Sequence, residues 1–303
     1  MRRLLPSIPE NAVTVASERP ERESYMKTRI ITAVVAIAIL LPVLIFSGSF
    51  LLPLALALCS VIAVFEMSSC IGIKKDLLLT LPTYLAAAVL PFCIRYSFSI
   101  LELRQWSMAL LCVFVLYCFA VLTFSKGKYK LGDVAIWFFV SIYILLGFNS
   151  ILVLRDYKFV GKYVYLLVFI GAWVTDTFAY FCGMMFGKHK LIPEVSPKKT
   201  VEGSVGGMIF CILSFLLYGF IVQFIVSASV NYGLLAIAGL FISVISQLGD
   251  LCMSVIKRTY GVKDYGKLFP GHGGILDRFD SILAVSVILA VFCSFFNFFT
   301  LIQ

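Results

Sequence analysis

Apolar residues run through this chain in long blocks, and the charged residues fall almost entirely between them. A helix needs about 20 apolar residues to cross a hydrocarbon core ~30 Å thick. Nine blocks approach that length: residues 30–47, 50–71, 77–94, 106–124, 134–154, 163–183, 205–226, 232–256 and 282–301. Pro53, Pro82 and Pro91 interrupt the second and third, which membrane helices tolerate. The pattern predicts an all-α, polytopic membrane bundle of about nine helices as a single domain over 29–303. A polar tail of mixed charge at 1–28 precedes it and is expected to be disordered. The tail lacks the form of a signal peptide, and Met26, directly before Lys27-Thr28-Arg29, is an alternative start.

Composition narrows the function classes. Hydrophobic residues make up 61% and charged residues 14%, too few charges to cover a soluble fold of this length. The net charge of +9 comes from short basic runs between apolar blocks, so topology accounts for it and no nucleic-acid partner is expected. With nine spans, twenty of the 25 Lys and Arg residues fall on the side of the N-terminal tail. The positive-inside rule assigns that side to the cytoplasm. The nine cysteines form no CxxC pair and read as small hydrophobes. His189 and His272 are the only histidines, which leaves no material for a His-rich metal site.

Polar residues break the blocks at a few places, all toward the same predicted side. Asp176 stands inside the sixth span, where an acid is a functional hypothesis by default; a helix-end residue meeting water is the plainer alternative. Gln247, Asp250, Ser254 and Lys257 in the eighth span are spaced 3, 4 and 3 apart and share one helix face. A hydrogen-bonded helix–helix seam would explain Gln and Ser; Asp with Lys257 and Arg258 favours a site. The following stretch, 257–274, mixes cations with glycines, which suits phosphate, although a solvated basic loop has the same composition. Asp277 and Asp280 lie three apart at the entry to the ninth span and, near Asp250, would offer oxygens to a hard cation such as Mg2+. The segment Ser196-Pro197-Lys198-Lys199-Thr200-Val201-Glu202-Gly203-Ser204 is a second basic, Gly-bearing loop, either a headgroup patch or a phosphate wall.

Ser254-x-x-Lys257-Arg258, Lys263-Asp264, Pro270-Gly271-His272-Gly273-Gly274 and Asp277-Arg278-x-Asp280 together resemble the signature of the phosphatidate cytidylyltransferases. Gln247-x-Gly249-Asp250, Ser196-Pro197-Lys198-Lys199-Thr200-x-Glu202-Gly203 and Trp173-x-x-Asp176-x-x-Ala179-Tyr180 resemble its earlier blocks. The likeness is specific over 173–281, the expected catalytic part; the first five spans match only in character.

The resemblance implies CTP + phosphatidate → CDP-diacylglycerol + pyrophosphate, with Mg2+ as cofactor, K+ as a monovalent aid, membrane lipid around the chain and a homodimer. It implies a metal centre on Asp250, Asp277 and Asp280. Lys257, Arg258 and Lys263, with Asp264 beside them, are expected at the reacting phosphates. Lys198, Lys199 and Thr200 would hold either the triphosphate or the lipid headgroup. Glu202, Ser254, His272, Gly273, Arg278, Asp176 and Gln247 complete the expected substrate contacts. Short loops and modest length suit a bacterial inner membrane, with the site on the cytoplasmic face. A CTP-dependent lipid kinase and, more distantly, an ion-coupled transporter are the alternatives.

Overall fold

The computed structural model describes residues 28, 31–96, 100–157, 160–226 and 228–301; all of the tail expected at 1–28 except Thr28 lies outside them. The helices are α1 (Ile31–Ile45), α2 (Leu51–Ile71), α3 (Leu77–Tyr96), α4 (Ile100–Phe124), α5 (Leu131–Arg155), a single turn α6 (Gly161–Val164), α7 (Leu166–Phe186), α8 (Val201–Val226), α9 (Tyr232–Thr259) and α10 (Leu276–Phe295). Two short antiparallel ribbons accompany them: β1 (Lys190–Ile192) with β2 (Ser196–Thr200), and β3 (Ala228–Val230) with β4 (Phe299–Leu301).

Eight helices among the described residues are long and apolar enough to cross a membrane, α6 and α7 counting as one. The first expected span is present as the shorter α1, roughly 22 Å at 1.5 Å per residue. Large apolar side chains such as Leu116, Leu217 and Phe224 face outward, while Trp137, Phe148, Phe215, Leu167 and Leu283 close the interior. The chain is an integral membrane protein. Pro82 and Pro91 sit within a continuous α3, and Pro53 falls in the first turn of α2, where its missing N–H is no loss.

The last helix departs from the expected 282–301. It begins at Leu276 and ends at Phe295, and Phe299–Leu301 pair with β3 instead. Hydropathy favoured the apolar run; the structure starts the helix six residues earlier, because Asp277 in its first turn pairs with Lys257 of α9 and Ser281 donates to Asp176 of α7.

The helices pack as neighbours α7–α8–α9–α10, with α10 against α5, and α2 and α3 against α5; α4 lies at the periphery. Successive loops alternate between the two ends. At one end, Thr32 Oγ1 donates to the Pro270 carbonyl at 3.3 Å, Lys128 pairs with Asp76, and Glu66 meets the start of α10. At the other, Arg95 pairs with Asp156, Arg155 Nε donates to Ser47 Oγ at 2.9 Å, and Tyr157 donates to Asn297 at 3.2 Å.

The contact between α7 and α8 is the most extensive between helices and depends on glycine. A Cβ on Gly203 would stand 2.4 Å from the Ala179 carbonyl and 2.9 Å from Thr200 Oγ1. Since the first of these is backbone, Gly203→Ala must push the helices apart. A loss of about 1–3 kcal/mol is expected, measurable as a lower unfolding temperature of the purified protein.

Candidate active site

A cavity of about 660 Å³ opens where the C-terminal halves of α7 and α9 meet the first turns of α8 and α10, with β2 as a further wall. Its volume falls within the range of small-molecule sites, roughly 300–1,000 Å³. Five carboxylates (Asp176, Asp250, Asp264, Asp277, Asp280) and five cations (Lys190, Lys198, Lys199, Lys257, Arg278) line it. Ala179, Tyr180, Met184 and Leu191 supply an apolar margin, and Tyr180 and Met184 are also exposed on the outer face of α7. So balanced a set of charges inside an apolar bundle is costly to assemble unless each charge has a partner or a ligand.

Helix geometry explains why these residues converge. Gln247, Asp250 and Lys257 occupy one face of α9 and all line the cavity. Ser254, between them, donates to Asp250 Oδ1 at 3.4 Å. Asp176 lies ten residues from the end of α7, about 15 Å below it at 1.5 Å per residue. Ser281 Oγ donates to Asp176 Oδ2 at 3.1 Å, and the Ser281 N–H donates to Asp280 Oδ1 at 2.8 Å. Asp176, Asp250 and Asp280 are near enough to repel one another.

Two ion pairs organise the rest. Lys199 Nζ, reaching in from β2, stands 2.5 Å from Asp250 Oδ2, both partly exposed. Lys257 Nζ donates to Asp277 Oδ1 at 2.8 Å, and here the side chains are only 11% and 3% exposed. Asp277 Oδ2 also accepts from the backbone N–H groups of Tyr265 (2.8 Å) and Gly274 (2.9 Å). Both oxygens of Asp277, expected as a metal ligand, are thus engaged by protein donors. Tyr265 folds its ring under Lys257, 5.3 Å from Nζ to the centroid, and its hydroxyl donates to the Met253 carbonyl at 2.8 Å. Burial pushes the Tyr265 phenol above its ordinary value, which keeps it a donor. Gly273, at φ +82°, brings the chain against Asp277, and a Cβ there would lie 2.7 Å from Oδ2.

Arg258, Lys263, His272 and Glu202 stand outside the cavity lining, while Ser254 and Gly273 meet it only through Asp250 and Asp277. Arg258 is exposed and reaches back to the Val262 carbonyl at 3.5 Å, and Lys263 is exposed on the loop. The Glu202 carboxylate accepts from the His189 backbone N–H at 3.2 Å and meets the His189 ring at 2.6 Å, which closes the base of the β1–β2 ribbon. Thr200 lines the cavity, but its hydroxyl accepts from the Gly203 N–H at 3.1 Å and caps α8. His272 occupies the turn bridged by Phe269 and Gly273. The loop from 260 to 275 is therefore less a phosphate cradle than a strap that shapes one wall.

One residue near the site carried a signal that motif reading passed over. Glu66 is an acid inside the second apolar block, 4% exposed, and its two oxygens accept from the N–H groups of Ile275 and Leu276, both at 2.9 Å. An intramembrane carboxylate was the available clue.

A polytopic bundle whose partly open pocket pairs carboxylates with cations has the build of a membrane-embedded enzyme. Residues 27–296 match the family model described as the cytidylyltransferase family. The chain is 36% identical over 271 residues to a phosphatidate cytidylyltransferase of Staphylococcus haemolyticus (strain JCSC1435), covering 88% of this chain and 98% of that one. It is 35% identical over 276 residues to the protein of the same name from Bacillus subtilis (strain 168), covering 90% and 99%. A third, from Staphylococcus aureus (strain COL), is 33% identical over 268 residues, covering 88% and 98%. The chain belongs to the cytidylyltransferase family and is a nucleotidyltransferase. The lipid-kinase and transporter alternatives find no support among these relatives.

Proposed function

We propose that this cavity joins CTP to phosphatidate, releasing pyrophosphate and leaving CDP-diacylglycerol in the membrane. The observation that carries the reading is the matched set of five carboxylates and five cations in one pocket with an apolar margin on α7. A phosphate oxygen of phosphatidate attacks the α-phosphorus of CTP; the bond from that phosphorus to the bridging oxygen of the β-phosphate breaks, and pyrophosphate leaves with the electron pair. Both reactants are anions, so charge neutralisation and alignment are the main demands. Lys190, Lys198, Lys199 and Arg278 are placed to neutralise the nucleotide and the headgroup. Lys257, held by Asp277 and Tyr265, presents a fixed cation from the floor. A phosphate monoester is nucleophilic at neutral pH, so no general base is assigned.

The donor set fits a hard divalent cation. Asp176, Asp250 and Asp280 bring carboxylate oxygens into one cavity, where they repel each other, and Mg2+ takes oxygen ligands while keeping waters and substrate phosphates in its shell. Among the described residues no group of three or more His, Cys, Asp or Glu is gathered to hold an ion by itself, so substrate oxygens and waters would have to complete the shell. Asp250 and Asp280 would hold the ion, which when bound would neutralise phosphate charge; Asp277 would act through Lys257. K+ is a further candidate for the same acid cluster.

The site is proposed to face the cytoplasm of a bacterial inner membrane. The basic loops at 72–76, 125–130, 187–200 and 260–275 all gather at the cavity's end of the bundle, which the positive-inside rule assigns to the cytoplasm. CTP would enter from that side, and phosphatidate across the Tyr180–Met184 margin. A homodimer is also proposed, on the resemblance alone.

Purified protein in lipid nanodiscs with phosphatidate and Mg2+ tests the reading. Label in the cytosine base or the α-phosphate of CTP is expected in the lipid fraction, and label in the γ-phosphate only in pyrophosphate. Transfer of γ-label to lipid would overturn the proposal. Lys199→Met is expected to raise the KM for one substrate and lower kcat/KM by about 10²-fold, since it removes a cation from a desolvated phosphate site.

A further inference from the structure

Glu66 belongs to α2, far in sequence from the region that carries the motifs, yet its carboxylate is built into the strap between α9 and α10. The first N–H groups of a helix have no partner within it. At the start of α10 the N-cap position is held by Ile275, which has no side-chain acceptor to offer. Glu66 supplies both acceptors instead: Oε1 takes the Ile275 N–H and Oε2 the Leu276 N–H, each at 2.9 Å. The strap has shaped itself around this carboxylate. A Cβ on Gly266 would lie 2.3 Å from Glu66 Oε1, and one on Gly274 only 2.1 Å away.

The next residues along α10 belong to the site. Asp277 adjoins Leu276, takes the Gly274 and Tyr265 N–H groups, and pairs with Lys257. Two buried carboxylates therefore hold one segment, Glu66 from α2 and Asp277 from α10 itself. Glu66 does not line the cavity. Its carboxylate also occupies the positive end of the α10 dipole, where an acid is favoured.

We infer that Glu66 is a positioning residue for cytidylyl transfer, holding the strap and the first turn of α10 so that Asp277 keeps Lys257 directed at the reacting phosphates. The inference rests on the cavity being the cytidylyl-transfer site. The test uses the full chain in nanodiscs with Glu66→Gln, Gly274→Ala, Glu66→Ala and the Glu66→Ala/Gly274→Ala pair. Steady-state kinetics, thermal unfolding and amide hydrogen exchange are measured on each.

In Glu66→Gln, kcat is expected to fall about 10- to 100-fold with the KM for CTP changed less than about threefold, the pattern of lost alignment with binding retained. Amides in 265–276 are expected to exchange faster while those of α2 stay protected. Gly274→Ala is expected to reproduce both effects because its methyl would collide with the carboxylate. Added to Glu66→Ala it should cost little more, the non-additivity of two groups in contact.

Folded Glu66→Gln with kcat within about twofold of the parent and unchanged exchange would overturn the inference. So would full additivity in the cycle, or a drop in unfolding temperature with kcat per folded molecule intact. If Glu66→Gln does not fold, Gly274→Ala decides on the same criteria. A parent chain without cytidylyl transfer would overturn the proposed reaction, while the exchange at 265–276 would still decide whether Glu66 holds the strap.

Discussion

Asp250→Asn is expected to lower kcat for CDP-diacylglycerol formation by about 10³-fold, in the upper range for loss of one preorganised electrostatic contact at a reacting centre. Asp250 sits between two charges in the proposed mechanism. Its Oδ2 is 2.5 Å from Lys199, and it shares the cavity with Asp176 and Asp280. The neutral amide would weaken the proposed cation site and release Lys199 from its alignment. The fold should survive with at most a modest fall in unfolding temperature, because the pair lines the cavity and not the packed core, although Lys199 Nζ itself is covered beside Asp250. The check is kcat and Mg2+ dependence in nanodiscs, with the unfolding temperature alongside. Near-parental turnover would remove Asp250 from the site.

At Asp277 the same change has a different outcome. Asp277→Asn is expected to abolish turnover and also to destabilise the protein by about 3 kcal/mol, the lower end for breaking a buried ion pair. Its carboxylate serves three donors, Lys257 and the N–H groups of Tyr265 and Gly274, at 2.8–2.9 Å. An amide keeps one acceptor, turns a donor toward another donor, and leaves Lys257 charged without its partner. Sequence reading treats Asp250 and Asp277 as equivalent metal-binding acids; burial separates them. Removing both charges, as in Lys257→Met/Asp277→Leu, should recover part of the stability without activity, because a desolvated pair can be replaced by apolar packing. Thermal unfolding of the two single variants and the double variant measures this directly.

What the sequence carried was one-dimensional periodicity and local chemistry. Long apolar blocks specify membrane helices because an unpaired backbone cannot be left in hydrocarbon, and that was enough for an all-α bundle despite Pro82 and Pro91. The spacing of Gln247, Asp250 and Lys257 specified one face of α9, since 3.6 residues per turn needs no tertiary information. The motif residues between 173 and 281 were sufficient to suggest the family.

Which acids have free oxygens was decided only in three dimensions. Asp250 and Asp277 look alike in the chain, but one faces a partly open cavity and the other is sealed by three donors from residues 257, 265 and 274. The same holds for Glu202, taken up by His189, and for Arg258 and Lys263, turned outward from the strap. Hydropathy put the last span six residues late because a window average counts Asp277 and Asp280 as penalties, whereas Asp277 has partners inside the bundle and Asp280 lines the cavity. Glu66 was visible as an acid within an apolar block, but its partners lie 209 and 210 positions away. No local pattern encodes a contact of that range; it exists because packing α2 and α10 on α5 brings a carboxylate to a helix start that has no cap of its own.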